Sequence, residues 1–518
     1  MKLADLLLEN KGLAEDEVFT GLVDYGLFCE KVPPCFTSEG LSSVIDKTFA
    51  NLLSQSDEKK LRKEIDKRSH DYIHYEALRD INIPRHFGIP HPESYVLQAL
   101  AIKKHWTEIK AHCEKPTSRV SRIHVRRING ERIFEMNYKG TDRFQLEEDE
   151  IEWAAGTQFV VNADISACFP SIYTHSIPWA LHGREDAKKK RGLLALAGNL
   201  LDKCTQNIRD GQTNGLLIGP HSSNIISEII LTRVDVLLLD RGYRKLRRYI
   251  DDYEFCAASY AEAEKFLHDL GLALRKYELT INEQKTEIVP VPRPSTENWK
   301  RELNRFFFPK GEEVIFSTVR SFLDLALELA QAAGTSAPLN YAIKMMPDQL
   351  NQRAKRLYVQ ETINLALAYP YLAPYLDQHV FDKYPHEEMD IKIADFANNL
   401  VRLGIQKLYP DAIAHGMYFA LKHGAKVQLN EAQFQEILKL DDCIVSVLLL
   451  EYAKKHKLKK IESAIKKRSQ ALKKEDARDQ DRQWLLIYQT WSEVDLSGTG
   501  QVFLSLLKGK KFRFFTSP

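Results

Sequence analysis

At 518 residues the chain exceeds what one hydrophobic core supports, so two or three domains are expected, and 44% hydrophobic with 28% charged residues is the balance of an ordinary folded soluble protein. The formal charge of +2 leaves the partner class open, because net charge hides local patches: residues 453–474 hold nine Lys and one Arg against one Glu. Seven cysteines, odd in number and without a C-x-x-C pair, argue against a disulfide framework or a structural zinc site and for a reducing cytoplasm. No apolar run approaches the ~18 residues of a bilayer span, and acids interrupt the N-terminus before a signal-peptide core could form.

In chain order, residues 1–80 read as helices joined by a loop at Lys31-Val32-Pro33-Pro34-Cys35-Phe36, where two prolines forbid helix; a charged helix covers 56–68. Ile83-Pro84-Arg85-His86-Phe87-Gly88-Ile89-Pro90-His91-Pro92 reads as a Pro-punctuated connection into a helix over 93–113, whose apolar face carries Tyr95, Leu97, Leu100, Ala101 and Trp106. Over 118–138 the basic residues Arg119, Arg122, His124, Arg126, Arg127 and Arg132 alternate with apolar ones, which suits either a solvated strand face or a surface that grips phosphates. Residues 159–170 begin as an apolar strand with a single carboxylate, Asp164.

A helix is expected from Tyr173, with Ser176 as N-cap and Pro178 in the first turn; His175 beside it reads as a satisfied hydrogen bonder, with a ligand or acid role as the alternative. Another helix over 192–210 ends at Gly211. The glycines of Gly215-Leu216-Leu217-Ile218-Gly219-Pro220 then permit close backbone approach to a ligand, and a helix over 224–239 buries Ile225, Ile226, Ile229, Ile230 and Leu231.

The stretch Arg247-Arg248-Tyr249-Ile250-Asp251-Asp252-Tyr253-Glu254-Phe255 sets two adjacent carboxylates between apolar and aromatic residues, the pattern of a β-hairpin with Asp-Asp in its tight turn. Two acids side by side repel, so they face water or a cation, and a divalent metal is the strongest partner. If this hairpin pairs with the Asp164 strand, Asp164 and Asp251 face each other and can bridge two Mg²⁺ ions about 3.5–4 Å apart, the clamp for in-line phosphoryl displacement. An amphipathic helix over 260–277 follows, then strand, turn and strand over 279–289. Lys285, near that turn, is either solvated or, beside a triphosphate, neutralises phosphate charge or donates a proton to the pyrophosphate leaving group.

Prolines 290, 292 and 294 mark a boundary. Beyond it, helices over 318–333, 352–368, 391–408, 411–423, 430–438, 441–455, 461–473 and 482–491 suggest an α-solenoid or HEAT-like stack. The expected fold is therefore α/β followed by α, in two units, 1–295 and 296–518. The Lys-rich 453–474 segment is a solvated helix face or an electrostatic track for nucleic acid, and Asp495-Leu496-Ser497-Gly498-Thr499-Gly500 reads as a turn.

The ordered set Asp164…Phe169, Gly215…Gly219-Pro220, Tyr249-Ile250-Asp251-Asp252 and Asn282…Lys285-Thr286 resembles the palm motifs of reverse transcriptases. Ser171-Ile172-Tyr173-Thr174-His175-Ser176-Ile177-Pro178-Trp179, with Pro33-Pro34-Cys35-Phe36 and Ile89-Pro90-His91-Pro92, resembles the bacterial abortive-infection reverse transcriptases, in particular their AbiK-like, prophage-encoded members. The resemblance covers roughly residues 20–295 by motif; for the C-terminal half it rests on helical character alone.

That resemblance implies reverse-transcriptase fingers and palm over 1–295 and an all-α HEAT-like domain over 296–518. It implies Asp164, Asp251 and Asp252 as catalytic carboxylates, with metal held by Asp164, Asp251 and the main-chain carbonyl of Ile165. The metal is Mg²⁺, with Mn²⁺ as a substitute. Phe169 matches the gate that excludes a ribose 2′-OH, and Gly219 and Lys285 match nucleotide-binding positions. One departure is Ile218, which stands where typical reverse transcriptases carry a Gln that seats the templating pair; ordinary templated copying is thereby in question.

The abortive-infection members imply instead a cytoplasmic, homo-oligomeric enzyme, trimer or hexamer, that adds dNTPs without a template in antiphage defence. Its single-stranded DNA product stays covalently attached to a hydroxyl of the protein. Tyr and Ser hydroxyls are all candidate primers, Tyr25 among them. Two alternatives stand beside this reading: a conventional RNA-templated reverse transcriptase, and a catalytically silent nucleic-acid-binding scaffold.

Overall fold

The computed structural model describes residues 13–113, 120, 153–294, 296–309 and 311–518; the basic segment with Arg119, Arg122, His124, Arg126, Arg127 and Arg132 lies outside the described residues. It is a mixed α/β fold, helix-rich, with two separate sheets. After α1 (Glu15–Tyr25), strand β1 (Tyr72–Leu78) buries Ile73, Tyr75 and Ala77 on alternate positions, and β2 (Pro84–Pro90) pairs with it antiparallel, Tyr72 opposite Pro90 and Leu78 opposite Pro84. The expected Pro-punctuated connection is thus a strand. Proline has no N–H to give a ladder, but at the ends of a strand in a two-stranded sheet that loss is tolerated. The helix expected over 93–113 breaks at His105 into α2 (Pro92–Lys104) and a shorter helix, Trp106–Cys113.

The second sheet has the order β4-β5-β3-β6, antiparallel throughout: β3 (Phe159–Ile165), β4 (Leu246–Tyr249), β5 (Asp252–Ala257) and β6 (Ile281–Pro290). Period-two alternation divides its faces. Val161, Ala163, Tyr253 and Phe255 are buried, and α3 (His221–Asp240) and α4 (Tyr260–Arg275) cover that side, with Phe266 stacked on Phe255 at 4.5 Å. Asn162 and Asp164 of β3, with Asp252 and Glu254 opposite them on β5, and Asn282 and Glu287 opposite on β6, make the other side polar.

Several local expectations shift. Helix covers Ala197–Asn207 rather than all of 192–210. Ser176 is the first helical residue of Ser176–His182, and His175 is the cap residue. Residues 495–498, expected as a turn, belong to the helix Glu493–Gly498, where the Asp495 carboxylate closes a capping box with Ser492.

After Pro290 the described residues form no strand. The helices Phe316–Ala333, Gln352–Ala368, Met389–Lys407, α5 (Pro410–His423), Cys443–Lys455 and Trp484–Thr490 pack in succession. The helical half closes on the first hairpin and the N-terminal region. Asp411, in the first turn of α5, accepts from the Tyr75 hydroxyl (2.6 Å) and the Leu78 N–H (3.1 Å). Asp481 accepts from the Asp71 N–H (3.0 Å) and pairs with His70 (3.1 Å), and Thr37 N–H donates to the Phe514 carbonyl (3.0 Å). No disulfide links any of the seven cysteines, and no described helix is long and apolar enough to cross a membrane.

Candidate active site

Pairing places Asp164 directly opposite Asp252 on β5 and Asn282 on β6; the expected facing partner, Asp251, sits instead in the turn. Tyr249 pairs with Asp252, so the hairpin turn has two residues, Ile250 and Asp251. Ile250 adopts φ +56°, a region that a β-branched residue strongly disfavours. One carboxylate oxygen from each of Asp164, Asp251 and Asp252 comes within 4.8 Å of the other two.

Three carboxylates this close oppose one another's ionisation. Burial first, and then the nearby Asp164, raise Asp251 above the usual carboxylate range. Asp252 rises to about 6, through burial, a hydrogen bond with Asp164 and the charge of Asp251; its position at the open side of the sheet lets solvent screen part of this repulsion. The donor set is all oxygen and anionic, which matches a hard divalent cation such as Mg²⁺ and relieves the repulsion.

Around the acids, Lys285 Nζ lies 3.1 Å from Asp164 Oδ2, and Asn282 Nδ2 donates to the same oxygen at 2.8 Å. Lys285 lies not near a hairpin turn but within one strand, β6, whose register slips between Asn162 and Asp164. That bulge places Lys285, still 66% exposed at its side chain, beside the acid. The Asp164 strand passes through buried Ile165 into a short helix, Cys168–Ser171, entered through Ala167 at φ +43°. Phe169 is half-buried there, and its carbonyl accepts the Leu216 N–H at 2.7 Å, which joins it to the glycine loop.

The glycine loop meets protein. A side chain at Gly219, φ +129°, would stand 2.9 Å from Cys29 Cβ and 3.3 Å from the Gly88 carbonyl, and Gly88 N–H donates to the Ile218 carbonyl at 3.0 Å. The loop therefore fastens the first hairpin to the second sheet. His175 is satisfied by Asp202 at 2.5 Å, as expected for a hydrogen bonder. Tyr25 ends α1, and its hydroxyl reaches Glu39 Oε1 at 3.5 Å.

Two features were not legible from the motifs. Arg85 of β2 falls within electrostatic reach of Asp251, so the first hairpin brings a cation to the acids; its alternating strand signal was hidden by the flanking prolines. Beneath the acids, Arg248, Glu228, Asp235 and Tyr253 form a buried polar network. A second group, His70, His91 and Glu93, also brings three ligand atoms together, but the His70 and His91 rings stack at 3.9 Å and 19°. Nearly parallel rings aim their in-plane lone pairs alongside each other rather than at one ion, and Glu93, Asp481 and Gln501 already hold them.

The fold and site thus define a sheet-borne acidic centre with a cationic rim. No protein-family model matches the chain, and no curated protein matches it. Among solved structures it is similar to telomerases. An apo telomerase from Candida tropicalis truncated from its C-terminal domain is 11% identical, over 44% of this chain and 52% of that one, with TM-score 0.32. A Candida albicans telomerase in complex with a TWJ fragment of telomeric RNA is 9% identical over 66% and 63%, TM-score 0.28, and apo telomerase from Candida tropicalis is 9% identical over 81% and 74%, TM-score 0.31. The chain spans about half the length of the first of these and under two thirds of the second. With TM-scores this low, the chemistry below rests on the chain's own residues.

Proposed function

We propose that the chain is a nucleotidyltransferase of the reverse-transcriptase family, a DNA polymerase that extends a primer hydroxyl with dNTPs. The observation that carries this reading is the convergence of Asp164 and Asp252, on the polar face of the sheet, with Asp251 in the adjoining turn, and Lys285 beside Asp164. Asp164 and Asp251, with the Ile165 carbonyl, would hold Mg²⁺, and the bound metal would activate the primer hydroxyl and stabilise the pyrophosphate leaving group. Asp252 shapes the charge of the site by opposing its neighbours. Lys285 and Arg85 neutralise the triphosphate, and Phe169 stands against the ribose 2′-OH. Gly219 keeps the loop close to the first hairpin, which forms one wall of the nucleotide site.

Within this class we favour untemplated, protein-primed synthesis in abortive-infection defence. What supports that choice is the motif resemblance and Ile218 in place of a polar residue on the loop. Fingers and palm over 1–295, a HEAT-like unit over 296–518, a homo-oligomer and a cytoplasmic site of action belong to the same reading. Purified protein is incubated with Mg²⁺ and labelled dNTPs, without template or primer, and resolved on a denaturing gel with and without protease. A ladder on the protein that protease releases is the expected result, and Asp164→Asn or Asp251→Asn abolishes it. Incorporation only on an added template and primer, with a complementary product, would instead identify a conventional reverse transcriptase. Full phage resistance from a folded Asp164→Asn/Asp251→Asn double variant would identify a scaffold.

A further inference from the structure

Directly beneath the acids lies a fully buried cation. Arg248 on β4 is 0% exposed, and all five of its N–H donors are used. Nε donates to Asp235 Oδ1 (3.0 Å), Nη2 to Asp235 Oδ2 (2.7 Å) and Glu228 Oε1 (3.0 Å), and Nη1 to Glu228 Oε2 (3.0 Å). The remaining Nη1 donor goes to the main-chain carbonyl of Ile250, at 2.9 Å. Glu228 and Asp235 stand about two turns apart on α3, so one rigid helix grips the guanidinium from both sides. Tyr253 on β5 donates its hydroxyl to Asp235 Oδ1 at 2.9 Å, which ties the second hairpin strand to the same helix.

The accepting carbonyl matters because of where it sits. Ile250 is held at φ +56°, strained for a β-branched residue, and at 38% exposure it is only partly fixed by packing. Relaxation of this residue would rotate the next peptide and swing Asp251 away from Asp164 and Asp252.

We propose that Arg248 is the positioning residue of the acidic centre: anchored by Glu228 and Asp235, it holds the Ile250 carbonyl and so keeps the left-handed residue that places Asp251 beside Asp164 and Asp252, where the acids would hold a divalent metal. The inference rests on the polymerase reading of the three acids. Lysine at this position would keep the charge but brings three donors on one nitrogen in place of five spread over a planar fork, so part of the carboxylate and carbonyl set loses its partner.

The test compares full-length wild type, Arg248→Lys, Ile250→Gly and the double variant for Mn²⁺ binding by electron paramagnetic resonance, thermal unfolding, and the Mg²⁺ dependence of dNTP incorporation. Arg248→Lys is expected to weaken Mn²⁺ binding about tenfold, the scale of one strained residue released, and to raise the Mg²⁺ half-saturation in proportion. Glycine adopts φ near +56° without strain, so Ile250→Gly in the Arg248→Lys background is expected to restore most of the affinity. A residue that merely stabilised the core would show no such rescue. Folded Arg248→Lys with wild-type Mn²⁺ affinity, or a defect that Ile250→Gly leaves unchanged, overturns the proposal.

Should Arg248→Lys fail to fold, Glu228→Gln loosens the anchor while keeping its size. A severalfold loss of Mn²⁺ affinity, again relieved by Ile250→Gly, supports the proposal, and wild-type affinity overturns it. Wild-type protein that binds Mn²⁺ yet incorporates no nucleotide defeats the polymerase reading, while the Mn²⁺ comparison still decides the role of Arg248.

Discussion

Raising the pH should loosen the helical half from the first hairpin, through His70. This imidazole lies between Asp481 (3.1 Å) and Glu93 (3.1 Å), and Glu93 also pairs with Arg68 at 3.1 Å. Burial by itself drives His70 towards neutrality, but the hydrogen bonds and charges of Asp481 and Glu93 outweigh it and raise the group from 6.5 to about 9. The side chain is only 12% exposed, so solvent screening is slight, and the difference corresponds to roughly 3 kcal/mol. The folded-state value lies above the unfolded one. That stabilisation is therefore fully present below about pH 6.5, declines as the pH rises, and is gone above about 9.

The readout is hydrogen exchange of peptides covering 70–78 and 477–490, corrected for intrinsic exchange, because a multidomain chain need not unfold in two states. Wild type should lose protection on the order of 100-fold in these segments between pH 6 and pH 10, the equivalent of that free energy. His70→Gln should begin less protected and change little. Identical pH dependence in the two proteins would refute the linkage.

Three further outcomes are expected. A methyl group at Gly404 would stand 2.5 Å from Ile413 Cγ1 and 2.9 Å from the Ile413 nitrogen and the Tyr409 carbonyl, so Gly404→Ala should cost about 1–3 kcal/mol, seen as a lower thermal unfolding temperature. Because Asp252 rises to about 6 and Asp251 is also raised, protons compete with metal at mild acidity; Mn²⁺ affinity should fall steeply below about pH 6 and level off above it, which a titration between pH 5 and 8 checks. Phe169→Ala should open the site to ribonucleotides and cut the preference for dNTPs over NTPs at least tenfold in competitive incorporation, whereas Lys285→Ala should lower incorporation of both sugars alike.

What the sequence determined by itself is what local chemistry controls. The helix at Gln352–Ala368 was legible end to end, because its pattern is local to it, and the structure adds the cap, the Asn351 side chain accepting from the Ala354 N–H. The Asp-Asp hairpin and the acid on β3 were legible for the same reason: alternation, turn propensity and an isolated carboxylate are properties of a few neighbours. Register is not such a property. That Asp252, rather than Asp251, lies opposite Asp164, and that a bulge in β6 delivers Lys285, depends on how separate strands slide until their apolar faces meet α3 and α4. The Pro-flanked β1–β2 hairpin is held by groups more than three hundred residues further along the chain: Asp411 accepts from Tyr75 and Leu78, and Asp481 accepts from the Asp71 N–H at its entry. Only the folded chain could make a buried arginine tolerable, since its five donors find their partners on a helix, a strand turn and nothing nearer in sequence than Ile250.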